Sequence, residues 1–238
     1  MPTNRRLLDL EGPDFYPTPA WGTQALMNHV TFEGRIVEPC CGDGAMSKVL
    51  ETRYKVTSSD LHKRGYGTQK DFFDIKRRIP NLVTNPPFNI AEDMLTHALT
   101  IVDRKICLLL RLAFLESASR YNKFYSTTPP SKVLVFSERL SMYPKGYIIK
   151  SGGTTSYGWF IWELDKPTTQ TTIAWIPPGT KNLWRQNDDE AYCPRNTNTS
   201  LHTNSASVSM RNSDKSDALR SRPIRDRRAS REATGTRS

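Results

Sequence analysis

Residues 35–44 read RIVEPCCGDG, and they join a short apolar run to a helical pattern. The run at 35–38 predicts a buried strand, and the apolar spacing within 45–52 predicts a helix directly after it. Gly42 and Gly44 stand in the turn between them, where glycine permits unusual backbone dihedrals and lets a ligand approach the backbone closely. This turn is therefore the first candidate ligand site.

Short apolar runs alternate with helical segments up to about residue 184. Further strands are predicted at 54–59, 82–84, 105–110, 132–136, 157–163 and 171–176, and a second amphipathic helix at 91–102. Strands alternating with helices predict an α/β domain, with seven strands in a mostly parallel sheet and helices on both faces. No clear helix separates the late strands, so we expect the end of the sheet to be antiparallel.

The composition changes towards the end of the chain. We predict one domain at 1–185 and a disordered tail at 186–238, because the tail is rich in Ser, Thr, Asn and Arg and poor in apolar residues. The whole chain has 238 residues, a formal net charge of +10 and a sequence pI near 9.6. Such a charge indicates either a polyanionic partner or solubility alone.

The cysteines and histidines do not form a metal-binding pattern. The four cysteines contain no CxxC pair, and the four histidines show no ligand spacing. We therefore predict no metal site and expect reduced thiols. We also expect neither a signal peptide nor a membrane helix, because no apolar run approaches the roughly 20 residues that such a helix needs.

Two carboxylates flank the glycine turn in a pattern typical of nucleoside binding. Glu38 precedes the turn, and Asp60 follows the second predicted strand. A carboxylate at the end of that strand can accept hydrogen bonds from ribose hydroxyls. Together with Gly42 and Gly44, these residues predict a nucleoside-type cofactor, which a nicotinamide-dependent oxidoreductase would also use.

Residues 84–89 read TNPPFN, directly after one predicted strand and before a predicted helix. The two prolines fix the backbone and remove two donors, which leaves the Pro86 carbonyl free to accept a hydrogen bond. Asn85 adds a side-chain carbonyl beside it, and Phe88 adds a flat aromatic face. An oxidoreductase has no use for this loop, so we predict that Asn85, Pro86, Pro87 and Phe88 are catalytic.

These two motifs, in this order, carry a family resemblance. Residues 38–44 resemble the cofactor loop of the class I S-adenosylmethionine-dependent methyltransferases, with Cys40 where that loop commonly has its first glycine. Residues 85–88 resemble the Asn/Asp-Pro-Pro-aromatic motif of the branch that methylates amino groups in DNA. Residues 14–19 and 70–72 are similar to further family segments. The resemblance spans about 14–163 and is strongest to phage and prophage N6-adenine DNA methyltransferases.

The resemblance implies a Rossmann-like class I methyltransferase fold, S-adenosylmethionine as cofactor and nucleic acid, above all DNA, as partner. The reaction would be methylation of an exocyclic amino nitrogen, with adenine N6 as the first preference and a flipped-out base as substrate. The implied location is the cytoplasm of a bacterial or phage-infected host cell. The cofactor-binding residues implied by family position are Tyr16, Thr18, Glu38, Cys40, Gly42, Gly44, Asp60, Asp71 and Phe72.

Several alternatives stay open. Members with a similar catalytic motif methylate RNA bases or protein amides, and an inactive nucleic-acid-binding module could keep the same fold. We expect no sizeable target-recognition domain after the predicted catalytic domain, because residues 186–238 are poor in apolar side chains. Either Tyr157 or Trp159 is predicted to form a second wall against the target base, and residues 143–150 are predicted to form a basic hairpin that contacts DNA.

Overall fold

The computed structural model of the chain describes residues 15–142 and 155–183. The helices of this part are α1 (Ala20–His29), α2 (Ala45–Leu50), α3 (Ala91–Ile101), α4 (Ala118–Arg120) and α5 (Thr180–Leu183). Its strands are β1 (Ile36–Glu38), β2 (Val56–Asp60), β3 (Thr68–Gln69), β4 (Ile79–Thr84), β5 (Val102–Arg111), β6 (Lys132–Phe136), β7 (Tyr157–Glu163) and β8 (Thr172–Ile176). The predicted hairpin at 143–150 and the predicted tail at 186–238 lie outside the described residues.

The eight strands of the described residues form one sheet in the order β3-β2-β1-β4-β5-β7-β6-β8. β7 is antiparallel to both of its neighbours, and the remaining pairs are parallel. The predicted α/β fold with a mostly parallel sheet is confirmed. The sheet has one strand more than the seven predicted, and this strand is β3, whose two residues are too few to show a pattern in the sequence.

The expected antiparallel end of the sheet is confirmed for the pairs that β7 makes with β5 and β6 and is wrong for the pair of β6 with β8. β7 alone is reversed, whereas β6 and β8 run parallel to each other. The physical reason is the short connection at 164–171, which reverses the chain after β7 and carries it across β6 to the outer edge. β8 therefore runs in the direction of β6.

Helices cover both faces of the sheet, as predicted. The alternation of side chains along each strand sends neighbouring residues to opposite faces. In β7, Trp159 packs in a core with α1 and α2, and Phe160 packs in a second core with α3. All three helices bury their apolar sides, so the sheet lies between two hydrophobic layers.

The sequence analysis did not predict α1. Its buried residues include Gly22 and Thr23 beside Trp21, so they do not form a clean apolar stripe. Tertiary contacts hold the helix in place: the Trp159 indole N–H donates to the Gly22 carbonyl at 2.9 Å. A Cβ at Gly22 would lie 2.8 Å from a terminal methyl group of Leu140, so a larger residue there would require the Leu140 side chain to move.

The sheet has a switch in strand order at β1. The chain leaves β1 for β2 on one side and returns to β4 on the other side. The connections that follow these strands diverge at this point, and they leave a crevice at the carboxyl ends of the strands, where ligands bind in open α/β sheets. Within the described ranges, every helix falls short of the length and apolar character needed to span a bilayer.

Candidate functional site

A cavity of about 860 Å³ opens at the carboxyl ends of β1, β2, β4 and β5. It brings together segments that are far apart in the sequence, because the parallel strands all end at this edge of the sheet. Most of the predicted site residues line it, namely Tyr16, Thr18, Glu38, Cys40, Asp60, Asp71, Phe72, Asn85, Pro86, Pro87 and Phe88.

Gly42 and Gly44 do not line this cavity, but they shape the loop beneath it. Their φ angles are 56° and 86°, in the left-handed region that favours glycine. A Cβ at Gly42 would lie 2.2 Å from the Phe15 ring, and one at Gly44 would lie 2.5 Å from the Tyr66 ring. Both glycines are therefore needed for the path and packing of the loop.

Asp60 ends β2 and ties the glycine loop to the next connection. Its carboxylate accepts hydrogen bonds from the backbone N–H groups of Gly42 at 2.9 Å and His62 at 2.8 Å. The Arg64 guanidinium lies 3.7 Å from the same carboxylate and stacks over the Phe15 ring at 4.5 Å. Sequence reasoning missed Arg64, which belongs to no recognisable motif, and gave no role to Phe15, which lies in the segment 14–19 that carries part of the resemblance.

Glu38 ends β1 and is fully buried. Burial, reinforced by the carboxylates of Asp60, Asp43 and Glu51, raises the pKa of Glu38 to about 8, although a hydrogen bond from the Ser47 hydroxyl opposes the shift. Glu38 is therefore mostly protonated at neutral pH. In this form it gives the cavity an uncharged polar group, and it becomes an anion only if a cation approaches or the pH rises.

Cys40 lies in the same loop, where the resembling family commonly has glycine. Burial raises the pKa of the Cys40 thiol to about 12, so this side chain is a neutral thiol at physiological pH. Its sulfur lies 3.9 Å from the sulfur of Met94 on α3. Cys40 thus contributes a small, polarisable wall to the cavity.

Asp71 and Phe72 sit at the start of a 3-10 turn, Phe72–Asp74. The Asp71 carboxylate accepts from the Phe73 backbone N–H at 2.9 Å and so caps the turn. Phe72 is buried and packs edge-on against the His97 ring at 5.0 Å. Phe72 therefore borders the cavity from the core, and His97, to which no role was assigned, serves as a packing partner and hydrogen-bonds the Ile75 carbonyl.

Asn85 follows β4 directly and has a defined amide orientation. Its Nδ2 group donates to the Tyr16 carbonyl and to Thr18 Oγ1, both at 3.2 Å. The amide oxygen Oδ1 is shielded from solvent and has no hydrogen-bond partner among the described residues. Because a buried acceptor without a partner is costly, such an atom in a cavity marks a place for an incoming donor.

Pro86 and Pro87 continue the loop into α3. The Pro87 carbonyl accepts from the Ile90 backbone N–H at 3.1 Å, whereas no backbone group in the described segments donates to the Pro86 carbonyl. Among the described residues, the loop therefore presents two acceptors without partners, Asn85 Oδ1 and the Pro86 carbonyl.

Phe88 is half-buried and lies against two residues from other strands. The Tyr157 ring stacks on it with centroids 5.8 Å apart and planes 29° apart. The Arg111 guanidinium lies 4.6 Å from the Phe88 centroid. Of the two residues predicted as a second wall, Tyr157 stacks on Phe88 itself, while Trp159 is fully buried in the core.

Sequence reasoning missed Arg111, although one signal was available. Arg111 is the last residue of β5 and pairs across the sheet with Tyr157, the first residue of the antiparallel β7. Had the direction of β7 been known, the start of β7 would have been placed at the carboxyl end of β5. Both side chains would then have been expected at the cavity.

Comparisons with known proteins give only distant structural likenesses. No family model matches the chain, and no curated protein matches it significantly. A candidate RNA methyltransferase from Pyrococcus horikoshii is 15% identical, with a TM-score of 0.49 over 64% of this chain and 90% of that one. The methyltransferase subunit of a type I restriction-modification system from Streptococcus thermophilus is 9% identical, with a TM-score of 0.48 over 76% of this chain and 54% of that one. A dimethyladenosine transferase from Plasmodium falciparum is 12% identical, with a TM-score of 0.42 over 61% of each chain.

The strand order and directions of the sheet, with its switch at β1 and its single reversed strand β7, define the fold class. The chain has a Rossmann-like α/β fold with a mixed, mostly parallel sheet, as predicted.

Proposed function

We propose that this protein is an S-adenosylmethionine-dependent methyltransferase that methylates an exocyclic amino nitrogen of a base, adenine N6 in DNA. The observation that carries the proposal is the amide of Asn85, whose donors are held by Tyr16 and Thr18 and whose acceptor has no partner. An amino group is the donor that such an acceptor would receive.

The residues at the β1 and β2 side of the cavity fit the proposed cofactor. Carboxyl groups of Glu38, Asp60 and Asp71 line this side. Acceptors of this kind suit ribose hydroxyls and amino groups, and the carboxylates of Asp60 and Asp71 suit a sulfonium cation, whose approach would also favour the ionised form of Glu38. When bound, the cofactor would supply an electrophilic methyl group. Asp60 is proposed to hold the ribose, and Asp71 and Phe72 the adenine ring.

The catalytic loop acts by orientation and electrostatics. The lone pair of an exocyclic amino nitrogen is delocalised into the ring, so the nitrogen is a poor nucleophile. Hydrogen bonds from its two N–H groups to Asn85 Oδ1 and the Pro86 carbonyl would favour tetrahedral geometry and point the lone pair at the methyl group. With the cofactor bound, a bond from nitrogen to the methyl carbon would form as the bond from sulfur to that carbon breaks. The methylated nitrogen would carry a positive charge and be strongly acidic, so it would release one proton to solvent without a strong base.

Phe88 would hold the target base by stacking. A base inside a duplex does not reach a cavity at the edge of the sheet, so it has to be flipped out of the helix. Stacking on an aromatic ring contributes about 1–3 kcal/mol, which offsets the few kcal/mol that extrusion costs. We further propose a catalytic domain at 1–185, a tail at 186–238 without a catalytic role, and a cytoplasmic location in a bacterial or phage-infected cell.

The test is transfer of a tritiated methyl group from the cofactor to DNA, RNA and protein substrates, followed by digestion to nucleosides or amino acids. The expected product is N6-methyladenine from DNA. Label in an RNA base or a protein amide would show that the reaction is right and the substrate wrong. Cofactor binding without label in any substrate would favour an inactive binding module.

A further inference from the structure

Arg111 lies at the cavity but belongs to no motif. It is the last residue of β5, its side chain is exposed, and its guanidinium stacks over Phe88 with a separation of 4.6 Å from the ring centroid. Its partner across the sheet is Tyr157, whose ring stacks on the same Phe88 ring. Arg111 is thus placed on the aromatic group that the proposed function assigns to the target base.

The charge of Arg111 is not neutralised within the described ranges. No carboxylate there lies within ion-pair distance of Arg111, whereas Arg64, a second arginine of the cavity, is paired with Asp60. The strand order gives the cavity an electrostatic direction. Asp60 ends β2 and Glu38 ends β1, whereas Asn85 follows β4 and Arg111 ends β5. The carboxyl groups of the cavity therefore lie on one side of the catalytic loop and Arg111 lies on the other.

We propose that Arg111 selects a nucleotide substrate by binding the phosphate next to the target base. In the free protein the Arg111 guanidinium covers the Phe88 ring, and the target base displaces it on binding. The proposal rests on the proposed function, because it needs Phe88 to be the stacking surface. It assigns the substrate to the nucleic acids, since a protein amide offers no phosphate to this guanidinium.

The burial of the two neighbours of Phe88 indicates which one leaves the ring. Tyr157 is buried, whereas Arg111, at the end of β5, is exposed. An exposed cation–π contact is weaker than the stacking of a base on an aromatic ring. When a base replaces Arg111 on the Phe88 ring, the released guanidinium can also form a bidentate, charge-assisted contact with a phosphate.

The experiment compares Arg111→Gln with Lys55→Gln in the full chain. Lys55 is an exposed cation directly before β2, at the amino ends of the strands and away from the cavity. It therefore controls for the loss of one positive charge. Both variants keep the arginine-rich end of the chain, and its contribution cancels. Binding of a fluorescein-labelled adenine-containing DNA duplex is measured by anisotropy between about 50 and 200 mM salt, and methylation kinetics are measured on the same preparations.

For Arg111→Gln we expect the KM for DNA to rise about tenfold, the size typical of a lost charged hydrogen bond, with kcat within about twofold of wild type. The slope of log affinity against log salt should fall by about 0.9, the value for one phosphate contact on duplex DNA. Arg111→Lys should keep the salt slope and recover only part of the affinity, because lysine keeps the charge and loses the bidentate geometry. Lys55→Gln should match wild type.

Two results would overturn the inference, and they can be told apart. If wild type methylates DNA and Arg111→Gln keeps the wild-type KM and salt slope, Arg111 does not bind phosphate and the proposed function stands. If wild type neither binds nor methylates nucleic acid but labels a protein amide, both the inference and the proposed substrate are wrong.

Discussion

Replacement of Asn85 by alanine tests the proposed catalytic loop most directly. The substitution removes the acceptor Oδ1, which has no partner among the described residues, and the two hydrogen bonds from Nδ2 to Tyr16 and Thr18. The hydrogen bonds are neutral and contribute about 1 kcal/mol each, so we expect a loss of about 2 kcal/mol in the free energy of unfolding. Loss of an oriented contact to the reacting group is expected to lower kcat about 100- to 1000-fold.

Asn81→Ala is the matched control for this experiment. Asn81 lies on the same strand, β4, away from the cavity, and its Nδ2 donates to the carbonyls of Glu33 at 2.8 Å and Arg35 at 3.2 Å. Its replacement also removes two side-chain hydrogen bonds, but none of these groups faces the proposed substrate. Asn81→Ala should therefore lose stability without a comparable fall in kcat.

The assay is steady-state kinetics on the substrate found by labelling, with cofactor affinity from calorimetry and stability from urea unfolding on the same preparations. Asn85→Asp should give an intermediate rate, because it keeps an acceptor but loses the donors to Tyr16 and Thr18. A folded Asn85→Ala protein with wild-type cofactor affinity and a near wild-type rate would place the active site elsewhere.

Three further substitutions test the rest of the cavity. Asp60→Asn should weaken cofactor binding by about 1.5–3 kcal/mol, the size expected when a charged hydrogen-bond acceptor becomes neutral; unchanged affinity in calorimetry would remove Asp60 from the cofactor site. Phe88→Ala should raise the KM for nucleic acid by about tenfold with a smaller change in kcat, because about 1–3 kcal/mol of stacking is lost; a fall in kcat alone would contradict this role. Glu38 has its pKa raised from 4.5 to about 8 by burial, so the folded state holds a proton that the unfolded state releases, and stability should fall as the pH rises between these values. Glu38→Gln should make stability less dependent on pH in this range. If the melting temperatures of wild type and Glu38→Gln changed identically from pH 5 to 9, Glu38 would not be buried in its neutral form.

The local elements of this fold were predictable from the sequence. The predicted runs match strands within a few residues at seven places, and the helices after residue 44 and after residue 90 begin where the apolar spacing begins. Glycine in the turn at 42–44 and proline at 86–87 were informative because each restricts or extends the backbone dihedrals of its own position. The short strand β3 and the helix α1 were missed because their residues show no clean periodicity.

The candidate site was predictable where its parts follow a strand directly. Asp60 and Asn85 stand at the carboxyl ends of neighbouring parallel strands, which all meet at one edge of the sheet, so their proximity follows from the fold class. The link from Asn85 to Tyr16 was not predictable from the residue pattern, because it joins groups far apart in the chain through side-chain geometry.

The chain by itself determined which segments become strands, turns and helices, since these depend on the spacing of apolar residues and on the dihedrals that each residue permits. Tertiary structure alone decided which strands are neighbours and in which direction each one runs. The reversal of β7 brings Tyr157 beside Arg111 and Phe88, and it also buries Trp159, a residue that looked equally suitable in the sequence. The physical reason is that strand register sets, for every residue at once, which face of the sheet and which end of the cavity it occupies.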